Sequence, residues 1–556
     1  MTARAAPPRD RDVTPSVLVA PPDERPCHTR DLRALAELAG VALSLPPARA
    51  LPGFRAPADH EALTAWLAAE GQHVDAAIVS LDLVAHGGLV PSRLGDAPSS
   101  GLLQRLDAVR ALRRARPDLP VAAAMVIQRF PDVDDATEEP PAWAEHGRRL
   151  HALGVAWHRA HRANEGRAAC PDPNEGRAAC PDPNEGRDAC PDPDEGREAC
   201  PDPNEHGVPR AVAHDVLQRR LRAHQANLAA LELASEGVVE PLLLTSDDTA
   251  PEGLPRLERG WLEGWVQRLG LGERVHQHPG ADEVASVLLA RAVLGARGLA
   301  PRVAVRCAQP GGLSRVAPYE DRPVGETAAA QVWAAGARPT AVDGAPPPDL
   351  ALLVHPPAAE GGDWALDPPS ALDERAAAAT ADAVAAALDA GVPVALADCA
   401  HANGADPALV AALARRGLLG GLASFAGWNT AGNSLGSALA AGLLVGDERA
   451  GDVETARERL LVTRLAEDHA YQSRERSRLR ARLAALGRSD PSPDGHADLC
   501  DDLASTLDAA LAELGDPLLA RWRVTDASIP WGRSFHVQAT VEPAAVAGDG
   551  LGRRGG

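Results

Sequence analysis

The sequence predicts an α/β protein built from two doubly wound, mostly parallel sheets and closed by a C-terminal helical segment. Three observations lead there. Short, continuously apolar runs recur along the chain; helix-length amphipathic segments lie between them; and a fresh strand–helix series starts at Pro301, after the long helical stretch that ends near Gly298. Apolar strands alternating with helices imply a parallel sheet covered on both faces. About nine strands are more than one comfortable doubly wound sheet holds, which asks for two.

In the first half, strands are predicted at Val17–Ala20, Val41–Leu45, Ala76–Leu81, Val121–Ile127 and Pro241–Thr245. Those of the second half fall at Val303–Arg306, Leu350–Val354, Val392–Ala397 and Leu422–Phe425. Thr29–Ala39, Glu61–Ala69, Leu102–Arg116, Val284–Leu294 and Pro407–Arg416 carry the helical period. The predicted organisation is a disordered N-terminus (1–14), a first Rossmann-like α/β domain (15–298), a second (299–446), and a helical segment with a closing tail (447–556). A weak internal echo supports two related halves. Asp23-Glu24-Arg25-Pro26, a helix, Ala39-Gly40 and a strand follow the first strand; Glu320-Asp321-Arg322-Pro323, a helix, Ala335-Gly336 and a strand follow Val303–Arg306.

At 556 residues the chain is long enough for about three domains, or two with insertions. Acids outnumber bases 77 to 56, a net charge of −21, which opposes attraction to nucleic acid or anionic lipid. There is no lysine. That excludes a phosphate loop with its Lys, a pyridoxal Schiff base and a lysine aldolase. Arginine without lysine, amid abundant Ala, Gly and Pro, also reads as the product of a GC-rich genome, so Arg for Lys is no sign of Arg chemistry. No apolar core follows Met1–Thr14 before Pro21, and no window approaches about 18 uninterrupted apolar residues. A cytoplasmic location without signal peptide or membrane partner is expected.

Cys27, Cys307, Cys399 and Cys500 are scattered, whereas Cys170, Cys180, Cys190 and Cys200 recur every ten residues in a tandem decapeptide of the form NEGRAACPDP. Each copy has two prolines, a glycine and no large apolar residue, too little to offset its ordering entropy. Residues 164–205 carry twelve acids and four arginines and are expected to be a disordered insert. Close zinc-binding cysteine pairs usually sit about two to four residues apart, so a metal role for this array is not favoured.

Six ordered segments carry a family resemblance: VAPPDERP, VSLDLVAHGGLVPSR (Val79–Arg93), LLLTSDDTAPEG (Leu242–Gly253), PGADEVASVLLAR (Pro279–Arg291), GWNTAGNSLGSALA (Gly427–Ala440) and IPWGRSF (Ile529–Phe535). Together they resemble the bacterial family catalogued as domain of unknown function 4127, over nearly the whole chain except the insert. The resemblance brings no established activity. Glu24 stands where a second aspartate is common in that family, so the resemblance favours Asp23 and Arg25 over Glu24.

In open α/β sheets ligands bind beyond the carboxyl ends of the strands, where these segments nearly all lie. The catalytic candidates are Asp23, Asp82, Asp247 and Asp248. Neighbouring carboxylates raise each other's proton affinity, which is how one site obtains both an acid and a charged partner. Adjacent residues on a strand point to opposite sides, so Asp247 and Asp248 share a cleft only if the strand has already turned. Candidate substrate contacts are Arg25, His86, Asp282, Glu283, Asp321, Trp428, Asn429 and Asn433, with Trp531 as a further stacking face. Asp282 and Glu283 also suit a helix N-terminus, and GWNTAGNSLG suits a turn with an N-cap. His276-x-His278 and the set His355, Asp398, His401 are possible metal ligands, but neither spacing is a metal signature. No stoichiometric metal or other cofactor is expected. The leading functional expectation is a hydrolase acting on a carbohydrate-like small molecule through acids in an inter-domain cleft. The alternatives are a metal-dependent hydrolase using His/Asp ligands and a non-catalytic two-lobed binding protein.

Overall fold

The computed structural model describes residues 14–168, 200–340, 346–445, 451–492 and 496–545. Its first sheet comprises β1 (Ser16–Ala20), β2 (Ala42–Ser44), β3 (Ala76–Ser80), β4 (Val121–Ile127), β5 (Leu242–Ser246) and β6 (Val275–Pro279), all parallel, in the order β2-β1-β3-β4-β5-β6. A second sheet comprises β7 (Arg302–Arg306), β8 (Arg338–Pro339), β9 (Leu350–His355), β10 (Val394–Asp398) and β11 (Ser424–Ala426), in the order β11-β10-β9-β7-β8, again parallel. Counted from its own first strand, each sheet winds second, first, third, fourth, fifth; the first sheet adds one strand. The DERP and EDRP loops follow the first strand of each sheet, and the next helices, Arg30–Ala39 and Val324–Ala334, are both followed by a left-handed glycine, Gly40 or Gly336. The internal echo is therefore a repeated winding.

Alternate strand residues face opposite layers, as the two-residue strand period requires. Val17 and Val19 of β1, and Leu350, Leu352 and Val354 of β9, belong to one core between the sheets, filled by the helices Arg30–Ala39, Val284–Arg297, Val324–Ala334 and Ala431–Leu444. Leu18 and Ala20 face a separate core under the outer helices of the first sheet, and Leu353 faces another under those of the second. The central layer is tight because small residues line it. A Cβ on Gly436 would stand 2.2 Å from Glu283 Cγ and 3.0 Å from Val287 Cγ2. The two predicted domains thus share one buried layer.

Most boundaries follow the apolar runs, with physical exceptions. β6 reads VHQHP and lacks an apolar run; it is held by pairing with β5, while His276 stacks on Trp333 at 3.3 Å. The helix expected over Leu102–Arg116 divides into Ser99–Arg105 and Asp107–Ala115, with Leu106 N–H reaching back three residues to Leu103. The closing tail is an antiparallel hairpin, β12 (Trp522–Ser528) and β13 (Gln538–Pro543). It packs with the helices Gly451–Arg464, Arg476–Ala485 and Ala497–Ala512, and with the π-helical stretch Leu465–Glu475, against the second sheet's outer core. Among the described residues no helix is long and apolar enough to cross a membrane.

Both ends of the expected insert are ordered. Asn164–Ala168 end the helix Trp143–Ala168, and Pro203–His206 form a 3-10 turn that Asp202 caps. The Trp157 indole donates to Pro201 O at 3.1 Å. Residues 169–199, with most of the repeat, and residues 1–13 lie outside the described residues. Deleting 169–199 is therefore expected to leave the melting temperature almost unchanged, because the deleted residues include no core-forming side chain. Deleting 164–205 should lower it, since the Pro201 contact and the Asp202 cap go too. Equal melting curves for the two deletions would contradict this.

Candidate functional site

The C-terminal end of β1 runs through two prolines into Asp23. Its carboxylate accepts from the backbone N–H of Arg25 at 3.0 Å and from Arg25 Nε and Nη2 at 3.0 and 2.8 Å; His28 Nδ1 lies 2.6 Å away. Arg25 reaches across to Asp282, beyond β6, donating to both oxygens at 2.6 and 3.1 Å. Asn429, beyond β11, donates to the same carboxylate at 3.0 Å. The Arg25 guanidinium also lies over the Trp531 ring, 5.1 Å from its centroid. Residues from both sheets and the closing hairpin thus meet at one buried arginine. Against the penalty of burial, Arg25 and His28 hold the Asp23 carboxyl well below the usual range, and Asp23 in turn holds the His28 imidazole well above its own.

A second charged cluster stands at the ends of β4 and β5. Asp248 has φ 36°, so the chain has turned and the adjacent carboxylates reach neighbouring arginines. Asp247 pairs with Arg93, and Asp248 accepts from Arg129 Nη1 at 3.0 Å. Glu138 and Glu139 bind the same two arginines, and Arg533 of the closing hairpin pairs with Glu138. Burial and the charge of Asp247, opposed by Arg129 and Arg93, push the Asp248 carboxyl up to about 6. Its side chain keeps 22% exposure.

The clusters are joined. Thr249 N–H donates to Tyr319 O, the Tyr319 hydroxyl to Asp363 at 2.6 Å, Asn403 Nδ2 to Asp363 at 3.0 Å, and Asn403 N–H to Asn429 O at 2.7 Å. Among the described residues, six non-glycines have left-handed backbone, and five of them, Asp248, Tyr319, Asn403, Asn429 and Trp531, lie on this circuit or against it. Such conformations are costly and gather where a surrounding structure holds them for a purpose. Beside the circuit lies a small cavity of about 30 Å³, room for a water-sized group or two, lined by Cys27, Asp282, Trp428 and Arg464. The Trp428 indole N–H and Arg464 Nε there are buried without a partner.

Other candidates are placed differently. Asp82 is buried beside the second cluster, accepting from Val126 N–H at 2.9 Å, and burial pushes its carboxyl up to about 7. His86 faces Arg105, His60 and Arg222, away from the circuit, and burial and Arg105 push its imidazole down to about 4. Asp321 pairs with Arg259 at 2.6 Å and Thr249. Asn433 Oδ1 accepts from Ala281 and Asp282 N–H at 3.2 and 3.0 Å, so it shapes the loop that presents Asp282. Glu283 points into the shared layer, where Gln331 donates to it at 3.0 Å and burial and the nearby Asp282 push it up to about 8. His355 is enclosed by Thr380 and Asp406 at 2.9 and 3.2 Å, and among the described residues its set with Asp398 and His401 does not converge on one point. His278 bonds its own Pro279 carbonyl at 2.8 Å.

Sequence reasoning missed Cys27, His28, Arg129 and the glutamates. His28 sits in the turn after a motif already singled out. Arg129, Glu138 and Glu139 lie in an acidic stretch that reads as a solvated loop. The family described as "Protein of unknown function (DUF4127)" matches residues 17–182 and 193–540. The chain belongs to that family. In this DUF4127 chain all six motif segments border the two clusters or the helices that carry them. No curated protein and no solved structure matches the chain.

Proposed function

We propose that the cleft is the active site of a hydrolase acting on a carbohydrate-like substrate, with Asp248 as proton donor and Asp247 as its charged partner. The Asp247–Asp248 pair carries this reading. A general acid must hold its proton near working pH and stay within reach of substrate, and Asp248, displaced to about 6 and partly exposed, meets both conditions. Asp247, salt-bridged to Arg93, supplies fixed negative charge beside the bond being broken. The Asn429 amide and the Trp428 and Trp531 rings suit a hydroxyl-rich ring, which offers polar edges and an apolar face. Asp23 acts through Arg25 by fixing its guanidinium.

Screening aryl glycosides first, then esters and amides, tests the reading. Turnover is expected to fall as pH rises through about 6, because Asp248 loses the proton it must deliver. A ligand that binds the cleft and is never turned over would instead favour a binding protein.

A further inference from the structure

We propose that Cys27, His28 and Asp282 form a divalent-metal site of the zinc class in the wall of the cavity. The proposal does not rest on the hydrolase reading, and it replaces the expectation of a metal-free chain. The Cys27 thiol sulfur, a ring nitrogen of His28 and a carboxylate oxygen of Asp282 lie within 4.8 Å of one another, and no other such trio occurs among the described residues. Zinc bonds of about 2.0–2.3 Å in tetrahedral geometry separate ligand atoms by roughly 3.3–3.8 Å. His28 Nε2 stands 3.7 Å from Asp282 Oδ1.

The imidazole supplies an independent observation. Its Nδ1 is engaged by Asp23 at 2.6 Å, while Nε2 is fully buried and has no hydrogen-bond partner. A histidine held by a carboxylate at one nitrogen and bare at the other has the arrangement of a metal ligand with its supporting shell. Asp282 is oriented in the same way, by Arg25 and Asn429. Asp23 and Asp282, with a Cys27 thiolate, offset the charge that Arg25 and a dication bring together. Cys27 and Asp282 line the cavity and His28 stands behind them, so three protein ligands leave a fourth position facing open space. That is the pattern of catalytic rather than structural zinc. The thiolate and imidazole favour zinc or cobalt over magnesium or calcium. Binding releases the thiol proton and the His28 Nε2 proton to solvent, because both atoms must be bare to ligate.

Cobalt(II) titrated into reduced, chelator-treated full-length protein is expected to give a thiolate-to-cobalt absorption band saturating at one equivalent per chain. The band should vanish in Cys27→Ser and persist when Cys170, Cys180, Cys190 and Cys200 are all replaced by Ser. Asp23→Asn, which keeps all three ligands but loosens the hold on the imidazole's far side and on Arg25, should weaken zinc binding about 10–100-fold. A measurement on the unaltered chain covers a Cys27→Ser variant that fails to fold: zinc should protect Cys27, but not Cys500, from alkylation, read by peptide mass. A cobalt band unchanged in a folded Cys27→Ser, a band lost with the repeat cysteines, or Cys27 alkylated equally fast with and without zinc each overturns the site.

Discussion

Asp248→Asn is expected to lower kcat by about two to four orders of magnitude while leaving KM and the melting temperature nearly in place. The amide keeps the shape of the carboxyl and removes its proton chemistry. It also spares the cluster, because Arg129 retains Glu138 and Glu139 at 3.1 and 2.7 Å. Asp247→Asn should slow turnover too, and Arg93 there retains the same two glutamates. The loss of activity above pH 6 should disappear in Asp248→Asn, since the group that titrates is gone. Asn429→Gly tolerates the left-handed backbone at that position and removes only the amide, so it should raise KM as well. If both Asn variants retain full activity on a substrate found by screening, the pair is a structural salt-bridge node and the acid mechanism is wrong.

Thermodynamic stability is expected to fall as pH rises from about 5 to 9, and Glu283→Gln should flatten the slope and make the protein more stable than wild type at the alkaline end. Glu283 and Glu320 are each pushed up to about 8 from ordinary values of 4.5, first by burial and then by nearby acids. The folded chain therefore holds two protons that the unfolded chain releases above about 4.5. Their contribution is complete below that pH and is lost as pH climbs through about 8. A separation of one pH unit between folded and unfolded titration is worth about 1.4 kcal/mol, so two such groups make the slope easy to measure. Glu283 is a suitable position to alter, because one of its oxygens has no partner and Gln331 donates to the other. Chemical denaturation at several pH values reads the effect directly. A wild-type stability that is flat or rising over this range contradicts the assignment.

The sheets were legible because their central strands are apolar on both faces; LLLTS in β5 and LALLVH in β9 face a covered layer on each side. β6 was not, since a polar strand gains its place from neighbours rather than from an apolar run, and the two-residue β8 showed only as the strand the internal echo asks for after Gly336. In the site, Asp23, Arg25, Asp282 and Asn429 were identifiable singly because they stand at strand ends. Their convergence joins positions 257 residues apart across Arg25 and Asp282, and no local pattern encodes it. The arginines that organise the second cluster were obscured for another reason. In a chain whose every basic residue is arginine, a functional guanidinium looks like any surface cation.

The helical layer packed between the two sheets limits how the molecule can breathe. Two-lobed proteins that clap shut on a ligand pivot about a thin, polar hinge. Here the halves are fused through a filled apolar stratum in which Gly436 leaves no slack against Glu283 and Val287. Parting them would expose that stratum to water, at a cost no small ligand repays. The turn between β12 and β13 adds a wall to the same site, setting Trp531 over Arg25 and Arg533 beside Glu138. The scaffold is a basin set in place before any ligand arrives.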